Sequence, residues 1–159
     1  MQERKDFAEL SNELNYHRYM LSQGEARGLF QNMSMSEYIA LHKITEKNSE
    51  AGKTYLQDIA EELHLSIPKT SKLVRKLNEK GLVNWAHDGD GSEGTYVTMT
   101  ESGTQLMQRQ EAFLKDYYGR VINRFGEENM IALLRLVKEL EEVMEAEKNW
   151  EGDESDGDF

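Results

Sequence analysis

Four basic side chains, Lys69, Lys72, Arg75 and Lys76, follow one another at helical spacings in the middle of the chain. With each residue turning by about 100° and Ile67 set at zero, all four fall between about 80° and 200°. Thr70, Leu73, Val74 and Leu77 fall between about 240° and 340°. A helix built this way has an apolar side for a core and a cationic side for something negative. Guanidinium and ammonium groups so arrayed can bond phosphate oxygens or the O6 and N7 acceptors of guanine in a major groove. Standing alone, four bases on a helix are a solvated face, so the reading turns on the elements that hold this helix.

Those elements are legible on both sides. Thr54 precedes "YLQDIAEELHL" and is a candidate N-cap for a short amphipathic helix on Leu56, Ile59, Ala60 and Leu63. Ser66 is the N-cap candidate for the basic helix. Pro68, the only proline, sits in its first turn, where a missing N–H costs nothing, and Gly81 follows its predicted end at Lys80. Two helices joined by about three residues make a helix-turn-helix. "LVNWA" and "YVTMT" follow as two short β-forming runs separated by "HDGDGSEG", which reads as a hairpin.

Outside this block the periodicity predicts four more segments. Phe7, Leu10, Leu14 and Leu21 line a first helix at about 5–22, and "GEARGLFQNM" breaks it. A second helix, capped by Ser36, carries Tyr38, Ile39, Leu41 and Ile44 to about Lys47, and "KNSEAGK" reads as a polar loop. A long helix runs from about 101 to 124, and after "FGEEN" a last one, about 127–148, puts Met130, Leu133, Leu134, Val137, Leu140 and Met144 on one side. Residues 149–159, "NWEGDESDGDF", read as a disordered acidic tail.

Composition excludes much. With no cysteine there is no disulfide framework, thiolate metal site or thiol switch. No segment approaches the roughly 18 apolar residues of a membrane span, so a cytoplasmic protein without a membrane partner is expected. His17, His42, His64 and His87 share no ligand spacing, and no nucleophile elbow, phosphate loop or metal motif appears; no catalysis, cofactor or metal is expected. The net charge of −11 looks hostile to nucleic acid, but Glu139 to Phe159 alone carries −9, while Ala51 to Ala86 carries +2.

The run "TYLQDIAEELHLSIPKTSKLVRKLNEKGLVNW", followed by "VTMTESG", resembles the MarR family of bacterial transcriptional regulators. The resemblance covers nearly all of the chain except the tail. It implies a mostly α fold with a small β-hairpin wing: a MarR-type domain over 1–148, with the winged helix at about 35–100 and dimerisation helices at about 5–22 and 101–148. It also implies a dimeric repressor that places Ser66, Pro68, Lys69, Ser71, Lys72, Arg75 and Lys76 on double-stranded DNA at a pseudo-palindromic operator. Family members often bind small aromatic or anionic ligands between the dimerisation helices and the winged helix. Tyr16, His17, Tyr19, Met20, Phe30 and Met33 are the residues that could line such a cleft here.

One departure stands out. Wings in this family typically carry an aspartate and one or two arginines, whereas His87 to Thr95 holds Asp88, Asp90 and Glu93 and no Lys or Arg. A calcium loop of the EF-hand type does not explain the acids, because counting from Asp88 the required Gly and Glu positions hold Glu93 and Met99. The acidic wing and tail support a second reading, a winged-helix module that binds protein instead of DNA. The tail could also compete with DNA for the basic helix.

Overall fold

The computed structural model describes residues 5–26, 30, 33–88 and 94–148. The tip of the wing at 89–93 and the acidic segment 149–159 lie outside the described residues, as do the readings made of them. The chain divides into two compact units, Met1–Ala112 and Phe113–Phe159.

In the first unit, α1 (Phe7–Ala26) begins where Asp6 accepts from the Glu9 N–H at 2.8 Å and Glu9 accepts from the Asp6 N–H in return. It runs four residues past the predicted end. α2 (Met35–Ala51) starts at Ser34, not Ser36, because the residue three beyond Ser34 is Glu37. The Ser34 hydroxyl accepts from the Glu37 N–H at 3.1 Å, and the Glu37 carboxylate accepts from the Ser34 N–H at the same distance. The far end also corrects the reading of "KNSEAGK" as a loop. The helix continues through Ala51 and stops at Gly52, whose φ of 75° closes it with an N–H bond to the Asn48 carbonyl.

Thr54 is no helix cap. With Tyr55 it forms β1 (Thr54–Tyr55), an edge strand pairing antiparallel with the strand at Thr95–Met99 so that Thr54 faces Val97. Its buried hydroxyl lies 3.2 Å from the Ile44 carbonyl and 3.0 Å from Asn48 Oδ1, fastening the strand to α2. α3 (Leu56–Leu63), α4 (Ile67–Glu79), β2 (Val83–His87), β3 (Thr95–Met99) and the first half of α5 (Glu101–Phe125) complete the winged helix, with strand order β1-β3-β2. Its core draws Ala40, Leu41 and Ile44 from α2, Ile59 from α3, Val74 and Leu77 from α4, Val83 and Val97 from the sheet and Met107 from α5.

The motif "TESG" opens α5 by local chemistry. The Thr100 hydroxyl accepts from the Gly103 N–H at 3.0 Å and donates to the Gly81 carbonyl at 2.7 Å. Gly103 is required by space. A Cβ there would sit 2.1 Å from the Leu82 carbonyl oxygen.

The second unit holds the rest of α5 and α6 (Glu127–Glu147). No residue of α6 is buried in the single chain, and Ile131, Leu134, Leu136 and Val143 are all more than half exposed.

Candidate nucleic-acid interface

The basic helix is set by its two ends. Before it, α3 closes at His64, which takes the left-handed conformation with φ of 53°, the only described non-glycine residue with positive φ. That turn lets the Leu65 N–H reach the Ala60 carbonyl at 3.0 Å and puts Ser66 in position as N-cap, accepting from the Lys69 N–H at 3.3 Å. Pro68 then falls in the first turn, as its missing donor demands. At the other end Gly81 turns the chain with φ of 76°, and the Asn78 side chain donates to the Val83 carbonyl at 2.9 Å, tying α4 to β2.

Burial sorts the helix as its periodicity predicts. Thr70, Val74 and Leu77 are 0% exposed, and the Thr70 hydroxyl satisfies itself on the Ser66 carbonyl at 2.8 Å. Lys69, Lys72, Arg75 and Lys76 are all exposed, with Pro68 beside them and Ser71 half-buried. An open cleft of about 490 Å3 runs alongside, lined by Leu56, Ile67, Pro68, Trp85, Ser71 and Arg75. The cleft puts an apolar floor next to a guanidinium. The sequence does not show it, because Trp85 and Arg75 come to line one cleft only through the packing of β2 near α4.

A second support comes from α2. Lys80, just past α4, donates to Glu37 at 2.7 Å. Burial alone would raise the Glu37 carboxyl, but the bonds from Lys80 and from the Ser34 N–H outweigh it and hold the group below its ordinary value. The pair spans 43 residues and anchors the end of α4 to α2 behind it.

The described part of the wing carries an unexpected charge arrangement. The Asp88 N–H bonds the Gly94 carbonyl at 2.8 Å, and its carboxylate leaves the wing for β1. Lys53 Nζ donates to one oxygen at 2.6 Å and the Tyr55 hydroxyl donates to the other. The same ammonium lies 4.6 Å from the ring centroid of Tyr96. The bonds from Lys53 and then Tyr55 lower the Asp88 carboxyl, and the bond to Asp88 raises Lys53 in turn. No local signal announces this cluster, since Lys53 and Asp88 stand 35 residues apart.

The residues proposed for a ligand are not gathered in one place. Tyr16, Tyr19 and Met20 are exposed on α1 at 57%, 60% and 42%, with His17 exposed among them and its ring against Tyr16. Phe30 packs on Tyr38 with ring centroids 5.3 Å apart, and Met33 is buried in the winged-helix core. Among the described residues no cluster of His, Asp or Glu could hold a metal ion, and no helix is long and apolar enough to cross a membrane.

No protein-family model matches the sequence, and no curated protein matches it. Solved structures do match its fold. NMB1585, a MarR family regulator from Neisseria meningitidis, superposes with a TM-score of 0.64 at 17% identity, covering 90% of this chain and 96% of its own. BpsR of Bordetella bronchiseptica, whose DNA binding is regulated by 6-hydroxynicotinic acid, gives 0.68 at 14% identity, with 87% and 98% covered. MepR of S. aureus, solved as a DNA complex, gives 0.63 at 17% identity, with 88% and 99% covered. The chain therefore has the fold of the MarR regulators, a mostly α winged helix with a small antiparallel sheet.

Proposed function

We propose that this protein is a cytoplasmic DNA-binding transcriptional regulator, a homodimeric repressor whose grip on a pseudo-palindromic operator is loosened by a small ligand. The observation that carries the reading is α4. It exposes four cations on the second helix of a helix-turn-helix while its opposite side is sealed in the core. Such a helix enters a major groove with its N-terminal half leading. Arg75 and Lys72 are assigned to base edges and phosphates, Lys69 and Lys76 to phosphates, and Ser66, Pro68 and Ser71 to the close approach of the helix start. MepR's capture with DNA supports the partner. NadR's complex with 4-hydroxyphenylacetate, together with BpsR, supports a small aromatic anion as the ligand, with Tyr16, His17, Tyr19 and Met20 of α1 and Phe30 as candidate contacts and Met33, buried in the core, behind them.

The exposed stripes of the terminal helices support dimerisation. Phe7, Leu10, Leu14 and Leu21 on α1, and Leu133, Leu134, Val137, Leu140 and Met144 on α6, are all at least 38% exposed in the single chain. Stripes of that length are buried most economically against a second copy. A twofold dimer would set two α4 helices about one DNA turn apart.

The test is anisotropy of labelled DNA from the protein's own upstream region across a salt series. A log affinity that falls linearly with log salt, at a slope of several phosphates, is expected. Arg75→Ala should weaken that binding by a few kcal/mol at most. Binding no better than to a random duplex at low salt would favour the second reading, a protein-interaction module, which the acids of the wing support.

A further inference from the structure

The acids of the wing are the obstacle to any partner with a phosphate backbone. Residues 87–95 carry Asp88, Asp90 and Glu93 without one Lys or Arg. Yet the base of that wing is not an uncompensated anion. Lys53, from the residue just before β1, stands 2.6 Å from Asp88 Oδ1 with its side chain 41% exposed. The cation that the wing's sequence lacks has been supplied from 35 residues upstream.

The way Asp88 is held bears on what Lys53 can do. Its two oxygens have separate donors, Lys53 on Oδ1 and the Tyr55 hydroxyl on Oδ2. If the ammonium leaves, the carboxylate keeps a strong hydrogen bond and stays in place. The ammonium itself has three donors on a flexible four-carbon stem and lies beside the electron-rich face of Tyr96 rather than in a closed polar cage. An exposed pair of this kind gains little from its own attraction. A DNA backbone, which sets one negative charge per about 1.7 Å of duplex, can therefore compete for the ammonium.

We infer that Lys53 is a DNA-backbone contact of the wing that changes partner: Asp88 holds the ammonium in the free protein, and a phosphate oxygen takes it in the complex. The inference rests on the DNA-binding reading above and adds to it a residue outside the recognition helix, with Asp88 as the positioning group. It also gives the wing a contact that needs no base at its tip.

Full-length wild type, Lys53→Met, Lys53→Arg and Asp88→Asn are titrated against labelled upstream DNA over roughly 50–200 mM salt. Lys53→Met is expected to lose several-fold in affinity and to lower the magnitude of the log–log slope by about 0.9, one phosphate. Lys53→Arg should restore both. Asp88→Asn is expected to bind several-fold more tightly, because the ammonium's internal competitor is then a neutral amide oxygen and the wing has one negative charge fewer. A purely structural pair makes the opposite forecast for that variant. Were Lys53→Met and Asp88→Asn to weaken binding alike with the slope unchanged, the inference would be overturned. The same holds if wild type binds its operator and Lys53→Met binds equally well at every salt. Wild type failing to prefer its upstream DNA over a random duplex sinks the regulator reading itself, a result distinct from the other two.

Discussion

The winged helix and the terminal helices spend similar apolar side chains in opposite ways. In the first, Leu41, Ile44, Ile59, Val74 and Leu77 are 0% exposed, whereas on α6 not one residue is buried and Leu134 is 58% exposed. Both regions read equally well as amphipathic helices in the sequence. The difference is whether the single chain covers them. A region that seals its own core owes its stability to packing, while a helix with an open stripe borrows stability from whatever covers it and becomes sensitive to concentration.

The contrast can be broken most forcefully from inside the sealed region. Ile59→Ala removes a fully buried side chain from the middle of the cluster. It should cost about 4 kcal/mol in chemical denaturation, and a loss under about 1 kcal/mol would mean that the core is looser than its burial implies. Gly103→Ala tests the same packing from the backbone. Its methyl must displace the Leu82 carbonyl, and a loss of about 3 kcal/mol is expected. A neutral result would show that α5 can shift at its start.

Leu134→Asp addresses the open stripe. If two copies pair through this face, as proposed, it should raise their dissociation constant by about thirtyfold, or about 2 kcal/mol, in sedimentation equilibrium. A dimer of unchanged affinity would show that this side of α6 faces solvent in the assembly. The smallest effect is reserved for the polar clamp behind α4. Glu37→Gln should cost about 1–2 kcal/mol at neutral pH by weakening the bond to Lys80. Because the folded-state value of Glu37 lies below its ordinary 4.5, its contribution is fully present above about 4.5 and is lost as acid titrates the folded carboxyl below that. Parallel urea titrations at pH 7 and pH 3.5 should therefore find wild type and Glu37→Gln further apart at the higher pH. An equal gap at both would dissociate the clamp from the carboxylate charge.

Boundaries were legible at α4, whose caps stand next to it, and less so at α1 and α2, which each run four residues past the expected end. Ser66, Pro68 and Gly81 frame α4 as written, and the wheel of residues 67–77 matches its burial. The true cap of α2 was also written, as Ser34 with Glu37 three residues on, but the nearby Ser36 drew the reading away from it. β1 was not readable. Two residues between a helix and a helix have no period, and their strand character exists only against Val97 and Tyr96, some forty residues later. The same distance hid the two charge pairs, Lys53 with Asp88 and Glu37 with Lys80, which no local spacing encodes. For the interface, the cations of α4 were plain in the sequence, while the cleft beside them required the sheet to be in place.

The hydroxyl of Thr100 restricts what this position can be. One oxygen must accept from the Gly103 N–H and, through its own hydrogen, donate to the Gly81 carbonyl. Aspartate can only accept, an amide divides the two tasks between different atoms, and alanine does neither. A single oxygen at this position thus couples the end of α4 to the start of α5, a coupling that only a hydroxyl residue makes through one atom.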